Sequence, residues 1–569
     1  MDERSESGDG AAVIRVAGGS THGRRNRRAL EAIRSAATDA RVLETGPTGI
    51  CEYEPLVMLT LDDRTAFHPS PGAGRLESLV DSLERGDLPT DDAIAVVDHE
   101  PTPEALPTPD EGPLSVGQRR ILARCGWLEP TAVPVGGVPD DGTDAAADGA
   151  DTDGDGDTTT ESAAVFASDH PEDAFARVRE IGLLGRGRGD WRTDEPVTDE
   201  WEIARDAAGG DAAVDTDDAR APVVVVNANE SDDRNETDRL LLESVPGEVV
   251  DGALAVAELI GADDVVCYCN EADDRARERA HDAVRNAAET LGDRLERAAS
   301  PEVVVGPDRY IAGEPTMALE AMEGTDRLEA RLRPPSPAEH GLYGRPTVVH
   351  TPRTLAQVRQ AVLDPDTFDA DDADPGTRLL TVTGDVDAPA TVELPTGGSL
   401  EAVREAVSLE GRFKLACVGG QFGGFTRSLS QSPSAPALEG AGLGTEGVVE
   451  LLNEDTCVLA TAGRRANFAM EENCGRCVTC REGSKQLTTM LRDVYSGEYR
   501  DAKIRELTRV MGETSLCQFG RSAARPAVTG LREFEREVAA HAEGRCPSGE
   551  CEVGDGAGNG ALRGRGGGR

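Results

Sequence analysis

Three cysteines at three-residue intervals, Cys474, Cys477 and Cys480 in ENCGRCVTCREG, and a fourth, Cys517 in SLCQFG, constrain this chain more than any other feature. Three thiolates so spaced can wrap one corner of a cluster, with Gly475 allowing a tight backbone turn between them. A remote fourth thiolate closes the cage, which is the ligation a [4Fe-4S] cubane needs. Any fold must therefore bring the segment around Cys517 back onto the one around Cys477. Zinc is the alternative occupant, but its sites usually pair one C-x2-C with a second or with a histidine pair, so three evenly spaced cysteines plus a distant one favour the cubane. Arg476 and Arg481 beside the ligands would raise a cluster's potential by offsetting its charge, or would pair with Glu471 and Glu472 at the surface. The other eight cysteines, Cys51, Cys125, Cys267, Cys269, Cys417, Cys457, Cys546 and Cys551, show no shared site. Cys546 and Cys551 in CPSGEC read as a labile disulfide or as free thiols, and no disulfide framework is expected without an export signal.

The 569 residues carry 106 acidic and 59 basic side chains, a formal net charge of −47. Nearly all the positive charge is Arg, since Lys occurs only at Lys414, Lys485 and Lys503. Such a chain repels phosphate backbones, and no Lys/Arg stripe with interleaved aromatics offsets this, so nucleic acid is excluded as the main partner. Apolar runs such as Val223-Val224-Val225-Val226 fall far short of the roughly 20 residues a bilayer needs. The N-terminus MDERSESGDG lacks the basic and apolar regions of a signal peptide, and a cytoplasmic protein is expected. So much acid with so little Lys suits a saline cytoplasm, where molar salt screens carboxylate repulsion over roughly 3 Å, and a halophilic host is expected.

Apolar periodicity predicts an α/β multidomain chain. VIRVAG and PLVML read as strands and RRALEAIRSAATDARV as a helix in a first unit, residues 1–137. Residues 138–165 form an acidic linker, too poor in large apolar side chains to offset its ordering entropy; its DxDGDGD run lacks the closing Glu of a calcium loop. In residues 166–364 the strands PVVVVNAN, DDVVCYCN and PEVVVG alternate with the helical VDGALAVAELIG and RARERAHDAVRNAAETL, which implies a mostly parallel layered sheet. Residues 375–460, with strands TRLLTVTGDV, ATVELP and FKLACVGG and a helix at SLEAVREAV, form a small α+β module. Residues 461–545 are helical: Leu487, Met490, Leu491, Val494, then Ile504, Leu507, Val510, Met511, then Val528, Leu531, Phe534, Val538 mark three bundle-core stripes. Residues 546–569 are a Gly-rich flexible tail.

ENCGRCVTCREG with SLCQFGRSAARP resembles the cluster-binding end of the NADH-oxidising flavoprotein subunit of respiratory complex I and its relatives in bidirectional hydrogenases and NAD-dependent formate dehydrogenases. GLLGRGRGDW (182–191), VVNANESDDRNETDR (225–239), DRYIAGEPT (308–316), LRPPSPAEHGLYGRPT (332–347) and GAGLGTEGVV (440–449) extend the similarity. TGPTGICEYEPLVML and GQRRILARCGWLEP resemble a thioredoxin-like ferredoxin fused ahead of it. The resemblance implies a degenerate thioredoxin-like first domain, a Rossmann-like FMN and NADH domain, a ubiquitin-like module and a helical bundle with one [4Fe-4S]. NAD(P)H would give a hydride to FMN, which passes single electrons to the cluster and on to a partner. Gly185, Arg186, Gly187, Asn227, Glu230, Tyr310, Gly313 and Glu314 match the FMN positions, and Cys474, Cys477, Cys480 and Cys517 the cluster ligands; no catalytic residue is assigned. The partners implied are other oxidoreductase subunits, including a small [2Fe-2S] subunit, with the chain peripheral to a membrane complex.

The sequence departs from the family in several places, among them NADE, which becomes Asn227-Ala228-Asn229-Glu230, and GEET, which becomes Gly313-Glu314-Pro315-Thr316. The family's GRGGAGFPTGLKW becomes GRGRGDWRTDEPV, with Arg188 and Asp190 where small residues stand, Trp191 at the flavin-facing aromatic and no phosphate-answering Lys. Its NNVET becomes His350-Thr351-Pro352-Arg353-Thr354. Of the four cysteines of the fused ferredoxin only Cys51 remains, with Pro47 at a second ligand position, so no [2Fe-2S] is expected there and Cys51 reads as a small buried hydrophobe. The altered loop leaves a second reading, a flavin-free iron–sulfur relay or partner-binding subunit without NADH oxidation.

Overall fold

The structure, a computed structural model, describes residues 12–101, 103–131, 162–209, 221–292, 294–295 and 300–551. Three sheets and a set of helices make a mixed α/β architecture. The first sheet holds β1 (Val13–Ala17), β2 (Arg41–Thr45), β3 (Leu56–Leu61), β4 (Arg64–Pro69) and β5 (Ala95–Asp98) in the order β2-β1-β3-β4-β5. β1 pairs parallel to β2 and antiparallel to β3. The next is wholly parallel: β6 (Val223–Ala228), β7 (Asp264–Asn270), β8 (Ser300–Gly306) and β9 (Thr347–His350) lie in the order β8-β7-β6-β9. β6 is buried along its whole length, as its unbroken valine run requires of a strand covered on both faces. The helix Pro246–Ile260 packs against it, nearly all its residues buried. The third sheet orders β10 (Thr377–Gly384), β11 (Ala390–Pro395), β12 (Phe413–Val418), β13 (Gly424–Thr426) and β14 (Val448–Asn453) as β11-β10-β14-β12-β13. β14, which runs on from the Gly-rich GAGLGTEGVV stretch, is its central strand and parallel to β10.

The units interlock through buried charge. Arg353 Nε and Nη2 donate to Asp238 at 3.0 and 2.7 Å, while Nη1 donates to the Glu446 carbonyl at 3.0 Å, tying the parallel sheet to the third sheet. Glu393 of β11 accepts the backbone N–H groups of Arg120, Ile121 and Leu122 at 2.9, 3.2 and 3.0 Å. Apolar residues of the first sheet, including Ala17, Met58 and Phe67, share one core with Leu380, Val382 and Val418 of the third. Asp238→Ala should strand the Arg353 guanidinium in the interior and lower stability by about 3–5 kcal/mol. The denaturant midpoint measures this, and an unchanged midpoint would show the pair to be dispensable.

The structure differs from the sequence reading at several points. Of the expected linker 138–165, residues 138–161 lie outside the described residues. Ser162 to Val165 are instead ordered: Ser162 caps the helix Ala163–Asp169, and the N–H groups of Ala163 and Ala164 donate to buried Asp251 at 2.9 and 3.1 Å. Of the expected tail 546–569, residues 552–569 lie outside the described residues, whereas Cys546 to Cys551 fold back on the bundle. SLEAVREAV forms a single 3-10 segment, Leu400–Glu405. The third apolar stripe is two helices, Arg525–Glu533 and Glu535–Ala542, because Phe534 leaves the helical region (φ −128°, ψ 28°), and Val528 is exposed. Cys457, Cys546 and Cys551, which share no site by spacing, converge with His541. Among the described residues no helix is long and apolar enough to cross a membrane.

Candidate functional site: a four-cysteine pocket beside an anion cradle

The predicted cluster ligands come together. Cys474, Cys477, Cys480 and Cys517 line one small pocket with the apolar Met317, Ala330, Leu516 and Phe519. The helix Val458–Glu472 ends at Asn473, whose amide donates to the Ala469 and Met470 carbonyls at 2.8 and 2.9 Å and whose Oδ1 accepts the Gly475 N–H at 3.0 Å. This cap turns the chain toward the pocket. Gly475 then adopts φ 79°, which a side chain would strain. Cys477 is the N-cap of the helix Val478–Val494, which carries Cys480 one turn in. The helix Asp501–Thr514 returns Cys517 to the same place. Burial pushes the Cys480 thiol up and Cys517 to about 12, so binding iron at neutral pH must expel protons. Arg481 donates to the Gly475 carbonyl at 2.6 Å and to Glu482 at 3.0 Å, and Arg476 faces Glu329 at 3.9 Å. Their acidic partners are thus Glu329 and Glu482 rather than Glu471 and Glu472.

The flavin candidates gather where the parallel sheet reverses its strand order, between β6 and β9, the crevice in which open parallel sheets bind ligands. Asn227 at the end of β6 donates to the Gly189 and Gly313 carbonyls, both at 3.0 Å. Gly313 has no room for a side chain, since a Cβ would lie 2.3 Å from the Asn229 carbonyl oxygen. Glu230 accepts from Arg188 at 2.7 Å and from Asn235 at 3.2 Å. Tyr310 is buried and packs edge-on against Phe422, Phe468 and Phe519. Phe519 also lines the cysteine pocket, so one aromatic cluster joins the two places. Two candidates have other partners. The Arg186 side chain turns to Asp374 and the Pro375 carbonyl. Glu314 caps the helix Pro315–Met322 and pairs with Arg333.

By sequence Asp190 is an intruder near a phosphate; in the structure it stands in the anion position itself. Its carboxylate is buried and accepts the N–H groups of Arg186 at 2.9 Å, Gly187 at 2.7 Å and Thr351 at 2.9 Å. The hydroxyls of Thr351 and Thr354 donate to it at 3.0 and 2.9 Å. Thr351 precedes the helix Pro352–Leu363, so the positive end of that helix adds to a glycine-loop cradle. Burial alone would raise the Asp190 carboxyl, but the neighbouring His350 and these amides hold it below the ordinary carboxylate range. Trp201 Nε1 donates to His350 Nε2 at 2.8 Å, which places the ring proton on Nδ1, 3.3 Å from Asp190. Arg188 lies 4.0 Å over the Tyr310 ring and donates to the Tyr310 carbonyl at 2.7 Å, filling the space between Glu230 and Gly313. Arg192, in the same loop, pairs with Asp194 and Glu195 at the surface. Arg333 covers Trp191 at 4.0 Å. Thr351 and Thr354 escape the motif reading; their signal is HTPRT, hydroxyl residues around a proline at a strand-to-helix junction. In the first unit, Cys51 is buried with its thiol 3.5 Å from Glu236.

Four thiols around one pocket, next to an anion cradle at a sheet's switch point, define a mixed α/β protein of the iron–sulfur class with a nucleotide-type crevice. Residues 460–541 match the NADH-ubiquinone oxidoreductase-F iron-sulfur binding region, and residues 178–360 the Nuo51 FMN-binding domain. The NADH-quinone oxidoreductase F subunit of Streptomyces coelicolor is 31% identical over 402 residues, 66% of this chain and 85% of that protein. The NADP-reducing hydrogenase subunit HndC of Solidesulfovibrio fructosivorans is 28% identical over 404 residues, 67% of this chain and 78% of that protein. A crystal structure of an NAD+-reducing [NiFe]-hydrogenase in the H2-reduced state shares the fold, with a TM-score of 0.60 at 22% identity over 93% of this chain and 85% of that one. The chain belongs to the family of NADH-quinone oxidoreductase F subunits.

Proposed function

We propose that this chain is the electron-input subunit of a multi-subunit oxidoreductase, carrying electrons from NAD(P)H through FMN to a [4Fe-4S] cluster and on to a partner subunit. The observation that carries this reading is the convergence of Cys474, Cys477, Cys480 and Cys517 on one pocket that touches the switch-point crevice through Tyr310 and Phe519. Bound FMN would accept a hydride and release single electrons, and the cluster would relay them. The donor set fits a phosphate: the N–H groups of Arg186, Gly187 and Thr351 and the hydroxyls of Thr351 and Thr354 already hold an anion, the Asp190 carboxylate. Asn227, Glu230 and Gly313 would face the rest of the cofactor once Arg188 has moved aside. On this reading the first sheet is a degenerate thioredoxin-like domain, the parallel sheet a Rossmann-like one and the third a ubiquitin-like module. The partners are other oxidoreductase subunits, among them a small [2Fe-2S] subunit, in a cytoplasmic arm peripheral to a membrane complex.

A second reading, a flavin-free iron–sulfur relay, is favoured by one observation, the occupation of the flavin positions by Asp190 and Arg188. An anaerobic visible spectrum in molar salt, recorded with FMN supplied and then NADH, separates the two. A flavin band bleached by NADH is expected for the first reading. A broad iron–sulfur shoulder alone, unmoved by NADH, would overturn it in favour of the second.

A further inference from the structure

A second metal-type donor set stands apart from the four-cysteine pocket. The ligand atoms of Cys457, His541, Cys546 and Cys551 all lie within 4.8 Å of one another. Cys457 Sγ is 3.3 Å from His541 Nε2 and 3.4 Å from Cys551 Sγ. Ligands about 2.3 Å from a tetrahedral zinc are about 3.8 Å apart along each edge. The two pairs at 3.3 and 3.4 Å need to part by only a few tenths of an ångström to take such an ion, every other pair lies within 4.8 Å, and the two sulfurs at 3.4 Å are far beyond the roughly 2.05 Å of a disulfide.

The surroundings orient these atoms as an outer shell orients metal ligands. His541 Nδ1 donates to the Glu537 carbonyl at 2.8 Å, which leaves the Nε2 lone pair directed at the sulfurs. The Ala460 N–H lies 3.4 Å from Cys457 Sγ and the Cys551 N–H 3.5 Å from Cys546 Sγ, each positioned to favour a thiolate. The Tyr495 hydroxyl is 3.4 Å from Cys551 Sγ, and its ring packs edge-on to His541. Three sulfurs and one imidazole, without an open position, are the ligands of a closed structural zinc site. Cys457 caps the start of the helix Val458–Glu472, whose other end leads to Cys474. At 1.5 Å per residue that helix separates the two donor sets by about 22 Å, so they are distinct sites. Glu550 strengthens the same junction, accepting the Cys457 N–H at 2.5 Å and pairing with Arg464 at 2.7 Å.

We infer that Cys457, His541, Cys546 and Cys551 form a structural zinc site that clips the chain following the last helix onto the start of the cluster-bearing bundle. The inference is independent of whether the chain oxidises NADH. Full-length protein purified anaerobically and incubated with Zn2+ should hold about one zinc per chain beside its iron. X-ray absorption at the zinc edge should give three sulfurs near 2.3 Å and one nitrogen near 2.0–2.1 Å. Cys546→Ser should lose the zinc and keep the iron–sulfur shoulder, while Cys477→Ser should lose the shoulder and keep the zinc. Wild-type protein that takes up no zinc, zinc bound only by oxygen and nitrogen, or zinc unaffected by Cys546→Ser would each overturn the assignment. Iron lost from Cys546→Ser with that from Cys477→Ser retained would overturn it in favour of a second iron–sulfur centre. The absorption measurement needs no variant, so a variant that fails to fold leaves the inference open to refutation.

Discussion

Replacing Cys477 by Ser removes the iron–sulfur chromophore: iron falls from on the order of four atoms per chain toward zero, and the broad visible shoulder and the reduced-cluster paramagnetic signal disappear. The reason is geometric. Cys477 sits at the turn between the Asn473 cap and the helix that carries Cys480, so its sulfur is the hinge of a pocket whose other walls are Arg476 and the apolar Met317, Ala330, Leu516 and Phe519. Apolar walls offer no substitute ligand, and a serine hydroxyl is a poor donor to iron. Electron delivery beyond the flavin positions should fall with the iron. Iron content and low-temperature paramagnetic resonance read the loss, and a variant that kept the full signal would show that Cys477 is not a ligand.

Joint replacement of Arg188 and Asp190 by Gly should tighten FMN binding by tenfold or more. In the wild-type chain a phosphate must displace a carboxylate held by five donors, and the flavin must displace a guanidinium held between Glu230 and the Tyr310 ring. A hydrogen bond to a charged group contributes about 1.5–3 kcal/mol, and each 1.4 kcal/mol is about tenfold in affinity. Most of those bonds re-form to phosphate, but expelling Asp190 and Arg188 from their partners remains as a cost. The double variant should also be less stable without FMN, because Glu230 loses the Arg188 guanidinium and Thr351 and Thr354 lose the Asp190 carboxylate. Titrating flavin fluorescence against wild-type and variant protein checks the first effect, and melting with and without FMN the second. Equal affinities would show that the two side chains are no barrier.

Sequence and structure agree best where the signal is local. The valine run of β6, the alternating helices and strands up to β8, and the C-x2-C-x2-C segment were legible because periodicity and spacing are properties of neighbouring residues. β14 was hidden because a strand paired on both sides can follow a glycine-rich loop with no turn signal of its own. The break at Phe534 was hidden because an apolar stripe continues through it although the helix does not. Asp190 was legible as a departure from its relatives but not as the occupant of the cradle, since three of its five donors are backbone amides, which every sequence possesses.

The residue pattern alone requires that Cys474, Cys477, Cys480 and Cys517 meet and that the chain alternate strands and helices. It also makes the loop with Arg188 and Asp190 differ from that of its relatives. The grouping of Cys457, Cys546 and Cys551 with His541, by contrast, comes from the packing of the chain. Cys457 stands 84 positions before His541 and no spacing rule links them; they meet because the bundle brings the end of its last helix back to the start of its first. The placing of a carboxylate in the anion cradle likewise comes from packing, because that position is made by two loops and a helix end that come together where the parallel sheet reverses its strand order.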